Sequence, residues 1–154
     1  MRHQFSFEVY GKPATQGSKR ALGRRGGGPI IMVESNKRLP GWRNDVAFAG
    51  QQAMPDTWPV TGAMGLHVAF RFARPKNHHT GNDPRRPLKS NAPRFHTNIA
   101  GDVDKLARAV CDALTTAGVW LDDKQVVDLH CIRVFAEPGQ PEGATITVQS
   151  LEHD

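Results

Sequence analysis

Two pairs of aspartates are the residues in this sequence with the clearest potential for chemistry. Asp102 and Asp104 are separated by a single valine, and Asp122 and Asp123 are adjacent. Hard cations such as Mg²⁺ bind a few carboxylates and keep several water ligands. Carboxylates that converge repel one another unless a metal neutralises their charge. Together, the two pairs favour a metal site that activates water and stabilises the leaving oxygen in phosphodiester hydrolysis.

Each pair also has a structural interpretation, which the sequence leaves open. Aspartates at a helix N-terminus stabilise the helix by about 0.3–1 kcal/mol through capping and the helix dipole. Asp-Asp is also a common turn pair. Taken one at a time, the structural interpretation is the more common one. The functional interpretation gains weight when the two pairs are considered together.

Arg108 stands one helical turn beyond Asp104. Its guanidinium could hold a phosphate or stabilise charge in a transition state. It could also form an i,i+4 ion pair with Asp104, worth about 0.2–0.5 kcal/mol. The two roles are compatible, because an ion pair can orient a metal ligand.

An amphipathic helix predicted over Asp102–Ala117 positions these groups. Its apolar residues recur at helical spacing, and Gly118 is placed to cap its C-terminus. Because Val103 is expected to face the core, Asp102 and Asp104 would flank the buried stripe. That stripe comprises Val103, Leu106, Ala107, Val110, Leu114 and Ala117.

The rest of the chain predicts a small α+β fold around that helix. A second helix is predicted over Pro40–Met54, and a short strand over Ile30–Glu34 that pairs with the first strand as a wide hairpin. The order of elements favours a small mixed β-sheet with two main helices packed on one face. The remaining strands are predicted by alternation over Gln4–Tyr10, Gly62–Ala73, Gln125–Ala136 and Ala144–Leu151.

Charge is distributed unevenly along the chain. Residues 1–101 carry 16 Lys and Arg against 5 Asp and Glu, whereas residues 102–154 carry 4 against 10. The net charges are therefore +11 and −6. This pattern suggests a polyanion bound by the first part and metal-dependent chemistry in the second. Ordinary surface charge is the alternative interpretation.

Two long basic segments, 11–29 and 74–99, are predicted to be mobile loops of a single domain that spans residues 1–154. The first segment has six glycines and no acid, and the second has four prolines and Asp83 as its one acid. Loops longer than about 12–15 residues are usually functional or disordered. The candidate phosphate-binding residues of the two loops are Lys12, Lys19, Arg20, Arg24, Arg25, Arg74, Lys76, Arg85, Arg86 and Lys89.

Composition excludes several classes of protein. A chain of 154 residues can bury one modest core, and no apolar run approaches the 18 residues of a membrane span. Cys111 and Cys131 form no CxxC motif, which excludes a zinc ribbon and favours a reducing cytoplasm. Segment 11–19 departs from P-loop spacing, so no nucleotide cofactor is predicted. Three loop histidines match no standard zinc spacing and are expected to be solvated or to contact phosphate: His78, His79 and His96.

Residues 102–114 and 118–127 resemble the RusA family of Holliday junction resolvases. The family pattern is Asp-x-Asp-(Asn/Lys)-Leu-x-(Lys/Arg), then Asp-Ala-Leu, then Asp-Asp-x-Gln-(Val/Ile), and this sequence follows it in order. The Gly-Lys-Pro of residues 11–13 and the Arg-Pro-Lys-x-His of residues 74–78 also fit. A single Asp-x-Asp motif would be weak evidence for the family. The ordered set of motifs, at this spacing and in a chain of this size, is strong evidence.

The resemblance implies a homodimeric endonuclease that binds four-way DNA junctions in the cytoplasm of a bacterium or a phage host. With Mg²⁺, or Mn²⁺ in its place, it would cut two opposed strands symmetrically in recombination and repair. Asp102, Asp104 and Asp123 would be the metal-binding catalytic carboxylates, and Asp122 an accessory metal ligand. The basic loop residues would contact DNA, with no membrane partner.

Arg108 departs from the family pattern, in which an essential basic residue at this position is most often lysine. A lysine can shed a proton and an arginine effectively cannot. An arginine can replace this lysine if the residue stabilises negative charge. It cannot replace the lysine if the residue transfers a proton during cleavage. Residues 100–101, Ala-Gly, also stand where Lys-Pro commonly precedes the first aspartate.

Chain geometry bears on how the two acidic pairs could meet. From Asp104 to Ala117 the helix advances about 20 Å. Six residues then lead to Asp123, and they span at most about 20 Å when fully extended. Contact between Asp104 and Asp123 within one subunit is therefore marginal. Either the helix ends early, near Thr115, or the site lies at or near a dimer interface.

Three other functions stay open at the level of sequence. A nuclease of the same fold could act on flaps, nicks or forks. A catalytically silent DNA-binding module would bind junctions equally well without Mg²⁺ and never cut. A soluble scaffold would use its acids only as caps and turns.

Overall fold

The computed structural model describes residues 3–17, 19–21, 32–34, 36–97 and 102–152. Its strands and helices are β1 Gln4–Tyr10, β2 Lys19–Ala21, β3 Met32–Glu34, α1 Leu39–Ala53, β4 Met64–Phe72, α2 Val103–Thr116, β5 Val126–Phe135 and β6 Gly143–Ser150. Short 3₁₀ turns lie at Lys76–His78, Thr80–Asn82 and Asp123–Gln125. Within these ranges, no helix combines the length and apolar character needed to cross a membrane.

The main sheet is mixed, as predicted. Its strand order is β1-β6-β4-β5, with antiparallel pairs β1–β6 and β6–β4 and a parallel pair β4–β5. A parallel pair needs a long crossover, and α2 lies within the chain that connects β4 to β5. This connection brings the start of β5, and Asp122 and Asp123 just before it, next to α2.

The predicted wide hairpin between the first strand and Ile30–Glu34 is wrong. β1 pairs along its whole length with β6, from Gln4 opposite Gln149 to Tyr10 opposite Gly143. The segment Met32–Glu34 instead pairs with β2, a strand that the sequence analysis did not anticipate. β6 offers β1 seven paired residues, whereas the short β3 extends over only three.

The core lies on one face of the main sheet, where both helices pack. β1 alternates between exposed residues and the buried Phe5, Phe7 and Val9, as its sequence predicts. α1 and α2 contribute to the same core cluster as these residues, so the α+β architecture is confirmed. The two helices approach closely at Gly50, where an added Cβ would lie 2.7 Å from Cδ2 of Leu114.

α2 follows the predicted pattern closely, with one exception. Leu106, Val110 and Leu114 are buried, and Gly118 follows the helix with a φ of +80° that favours glycine. Val103, however, is 40% exposed. The prediction that it faces the core is wrong: the buried face of α2 begins in the next turn, with Leu106 and Ala107.

The two segments predicted as loops have more internal contacts than their composition suggested. Ala14 is buried in the core. His79 is buried, and its Nδ1 lies 2.8 Å from the carbonyl oxygen of Arg86. His96 packs against the rings of Phe72 and Phe135. The expectation that the loop histidines are solvated or contact phosphate is therefore wrong for these two.

Candidate active site

The first acidic pair lies at the N-terminus of α2. Asp102 is the N-cap residue, and its main-chain oxygen accepts a hydrogen bond from the amide of Leu106 at 3.0 Å. Its side chain makes no capping hydrogen bond. Asp104 lies in the first turn, and both residues are exposed. The capping interpretation thus fails for the Asp102 carboxylate, which has no hydrogen-bond partner among the described residues and lies at the positive end of the helix dipole.

The second acidic pair precedes β5 and is partly used in a 3₁₀ turn. Oδ1 of Asp122 accepts a hydrogen bond from the amide of Lys124 at 2.9 Å, and this bond is the main reason that the pKa of Asp122 is lowered. Oε1 of Gln125 accepts in return from the amide of Asp122 at 3.0 Å, which completes a capping box. The turn interpretation is therefore correct for Asp122. Asp123 is exposed and makes no such cap.

Gln125 anchors this turn to the rest of the sheet. Its Nε2 donates hydrogen bonds of 3.0 Å to the carbonyl oxygens of Val60 and Gly62, which precede β4. Gln125 therefore fixes the position of the acidic pair, which explains why a glutamine at this place in the motif is useful.

Arg108 is exposed on the same helix as the first acidic pair. Among the residues that the structure describes, it forms no ion pair with Asp104. The i,i+4 interpretation is not supported, and the guanidinium is available to an anion from solution.

A surface depression of about 330 Å³ brings the second acidic pair together with residues that the sequence analysis did not select. Asp112 comes from α2, one turn beyond Arg108, and Arg43 comes from α1. A signal for Asp112 existed, since residues 104, 108 and 112 follow one face of the helix. No sequence motif marks Arg43. The lining residues are Arg43, Asp112, Thr115, Thr116, Leu121, Asp122 and Asp123.

The first acidic pair does not line the depression that contains the second. Asp112 shares the depression with Asp123 and follows Asp104 by about 12 Å along the helix axis. Within the described ranges, no three acidic, histidine or cysteine side chains are grouped closely enough to hold a metal ion. The exposed carboxylate oxygens of each pair fit Mg²⁺ in their chemistry, because Mg²⁺ is satisfied by one or two carboxylates plus water.

The tryptophans and cysteines near the site are structural. Trp42, Trp58 and Trp120 are buried, and Nε1 of Trp58 donates to the carbonyl oxygen of Val119 at 2.9 Å. Burial raises the pKa of Cys111 to about 12 and that of Cys131 to about 11. These thiols are neutral and unreactive near neutral pH.

The predicted phosphate-binding residues differ in their availability. The guanidinium of Arg74 donates to the carbonyl oxygens of Ala136 and Pro93, so much of its donor capacity is used within the fold. Arg85 pairs with Asp83, whose pKa this hydrogen bonding lowers. Lys19 and Arg20 lie on β2, whose side chains are outside the description, and Arg24 and Arg25 lie outside the described residues. The remaining four are exposed: Lys12, Lys76, Arg86 and Lys89.

Comparison with known protein families assigns the chain to a family. The family described as "Endodeoxyribonuclease RusA" matches residues 11–149, which include both acidic pairs and both basic segments. The chain belongs to the RusA family. The resemblance inferred from the ordered aspartate motifs is thereby confirmed, and it supports a nuclease.

Individual relatives of this RusA family member fall into two groups. The "Uncharacterized protein YqaN" of Bacillus subtilis (strain 168) is 28% identical over 136 residues, which cover 88% of this chain and 91% of that protein. The "Crossover junction endodeoxyribonuclease RusA" of Escherichia coli (strain K12) is 48% identical over 51 residues, or 33% of this chain and 42% of the relative. The protein of the same description from Enterobacteria phage 82 matches to the same extent. The similarity to the resolvases is thus high but confined to less than half of their length.

Proposed function

We propose that this protein is a Mg²⁺-dependent, structure-selective DNA endonuclease that resolves four-way (Holliday) junctions by paired, symmetric cleavage during recombination and repair. It would act as a homodimer on DNA in the cytoplasm. Membership of the RusA family and the printed activity of the resolvases that it resembles support this proposal. The basic loops and acidic motifs are those that such a reaction needs.

The main support for the proposal is that, among the described residues, the carboxylates of Asp102 and Asp104 make no capping hydrogen bond and no ion pair. Asp102 occupies a cap position without using its side chain as a cap, and Asp104 and Arg108 follow it exposed on the same helix. A first-turn carboxylate also stabilises the helix through its dipole. Among the described residues, however, no side-chain hydrogen bond or ion pair holds Asp102, Asp104 or Arg108. These groups instead face solvent, where a metal and a phosphate can reach them.

The proposed roles follow from this geometry. Asp102, Asp104 and Asp123 would hold the metal, and Mn²⁺ could replace Mg²⁺. Asp122 would act as an accessory ligand through the oxygen that does not accept from Lys124. When bound, the metal activates the attacking water and stabilises the leaving oxygen. Arg108 would bind the phosphate and stabilise its developing charge without moving a proton, because an arginine stays protonated.

A second copy of the chain would complete the site. Leu121 and Val127, which flank the second acidic pair, are 70% and 67% exposed, and Leu129 follows on the same strand. β5 is an edge strand of the sheet, and an edge with exposed apolar side chains favours pairing with another chain. A two-fold dimer at this edge would cover these residues and bring acidic pairs of two subunits toward each other.

Mixed dimers test whether the site is shared. In a dimer of an Asp104→Asn chain and an Asp123→Asn chain, a shared arrangement leaves one of the two sites with all its carboxylates. Random mixing of the two inactive variants should then restore nicking to about a quarter of the wild-type site activity, as single nicks. Each homodimer alone is the control. No recovery on mixing would contradict sharing.

Phosphate contacts by the second basic segment are tested by salt dependence. Arg85 and Arg86 are exposed at the turn that ends this segment's 3₁₀ region, and we expect Arg85→Ala with Arg86→Ala to weaken junction binding. Each lost phosphate contact should reduce the slope of log affinity against log salt by about 0.9, so the slope should flatten by about 1–2. The measurement is a junction titration between low and moderate salt. An unchanged slope would remove this loop from the interface.

The experiment that tests the proposed function compares a synthetic four-way junction with its matched linear duplex, with and without Mg²⁺. We expect paired nicks in the junction alone, which depend on Mg²⁺ and are absent with Asp104→Asn. Equal cutting of flaps or forks would indicate a RusA-like nuclease with another branched substrate. Tight binding without cutting would indicate a silent DNA-binding module, and Arg108→Lys would then show whether the arginine is the cause.

A further inference from the structure

Arg43 is a basic residue of α1 whose position is set by tight helix packing. Leu39, Trp42 and Val46 bury one side of α1 in the core, and Gly50 allows the helix to approach Leu114 of α2. Arg43 lies beside this buried stripe. It lines both the groove between the two helices and the depression of about 330 Å³ that contains the second acidic pair. Its location is therefore determined by the fold.

The surroundings of Arg43 are otherwise acidic. The depression is lined by Asp112, Asp122 and Asp123, and Arg43 is the one basic residue among its lining side chains. Opposite charges this close usually pair. Yet in the parts of the chain that the structure describes, the guanidinium of Arg43 makes neither an ion pair nor a hydrogen bond with any of the three. Arg43 is partly exposed where it lines the depression.

We propose that Arg43 binds a phosphate of the DNA backbone at the Asp122–Asp123 end of the site; this inference rests on the proposed function. Asp112, Asp122 and Asp123 carry one negative charge more than a bound Mg²⁺ would neutralise, and this charge would repel a phosphodiester from the depression. A guanidinium offers a planar fork that binds two phosphate oxygens at once, which a lysine cannot reproduce. Arg43 would thus hold the backbone against the carboxylates. Such a contact positions DNA and reads no base sequence.

Arg43 and Arg108 would act at two points along the acidic face of α2. Arg108 lies midway between Asp104 and Asp112, one turn from each, and Arg43 lines the depression with Asp112 and Asp123. Two cations placed along this face can bind phosphates of one strand. Arg43 therefore deepens the proposed site with a contact from α1, an element that the acidic motifs do not include.

Arg43→Ala, Arg43→Lys and the control Arg38→Ala test the proposal. Arg38 is exposed at the N-cap of the same helix and does not line the depression, so Arg38→Ala removes the same charge elsewhere. Single-turnover cleavage of a four-way junction at saturating protein, junction affinity without Mg²⁺ and the thermal midpoint are measured for each. We expect Arg43→Ala to cut at least about 10-fold more slowly at saturation, with an unchanged thermal midpoint. Arg43→Lys should recover part of the rate, and Arg38→Ala should match wild type.

The outcomes separate this inference from the proposed function. If wild type cleaves the junction and Arg43→Ala cleaves it at the same rate, the role of Arg43 is refuted and the proposed function stands. The same holds if Arg38→Ala loses as much of the cleavage rate as Arg43→Ala. A loss that follows a lowered thermal midpoint, and that Arg43→Lys does not relieve, would make Arg43 a structural residue. If wild type cuts no junction, the proposed function fails. The affinities then decide on Arg43: weaker binding in Arg43→Ala than in Arg38→Ala supports the contact, and equal binding refutes it.

Discussion

We expect Asp104→Asn to lower Mg²⁺-dependent junction cleavage by about 100-fold or more, because metal catalysis supplies several kcal/mol of charge stabilisation. Asp104 is exposed in the first turn of α2 and makes no ion pair there within the described residues. Asparagine keeps its size and one carbonyl oxygen but removes the charge that binds the metal. The measurement is the single-turnover cleavage rate at saturating Mg²⁺.

The fold should tolerate this substitution. The helix dipole makes an exposed first-turn aspartate worth only about 0.3–1 kcal/mol. Junction affinity without Mg²⁺ should therefore be retained, and the thermal midpoint should change by a few degrees at most. Asp56→Asn is the matched control, because Asp56 is exposed in a loop outside both acidic pairs and should cut at the wild-type rate. If Asp104→Asn lowers stability and leaves cutting unchanged, the carboxylate is only structural.

Phe70→Ala is expected to have the largest effect on stability, a loss of about 3–5 kcal/mol in the free energy of unfolding. Phe70 is fully buried on β4, which lies between β6 and β5 in the sheet. Removing its ring deletes apolar contacts and leaves a cavity that neighbours on both strands and the helices cannot fill. Because α2 and β5 pack on this core, the acidic pairs would lose their positions as well.

Urea denaturation of wild type, Phe70→Ala and the control Phe48→Ala measures the loss in the free energy of unfolding. The midpoint should fall for Phe70→Ala with little change in slope. Phe48→Ala offers a control of the same residue type, because Phe48 is 66% exposed on α1. Its free energy of unfolding should stay within about 0.5 kcal/mol of wild type. Equal losses in the two variants would contradict the placement of the core described above.

The first acidic pair shows how far local pattern extends toward function. The apolar spacing of α2 predicted the helix, and the aspartates at its start predicted exposed carboxylates at the positive end of the dipole. The sequence could not show that Asp102 leaves its cap unused, since that depends on where the preceding chain and the helix direct one side chain. Nor could it show that Val103 is exposed, because exposure depends on which other elements pack against the first turn of α2.

By itself, the sequence determined the elements whose residues repeat at a helix or strand period, the turn at Asp122, the glycine that ends α2 and the family. These properties depend on neighbouring residues, so a local pattern is enough to predict them. Only the tertiary structure decided that β1 pairs with β6, that His79 is buried, that His96 packs against Phe72, and that Arg43 joins Asp112 at the second acidic pair. Those contacts join residues far apart in the chain, and they form because the apolar faces of separate elements must cover one another.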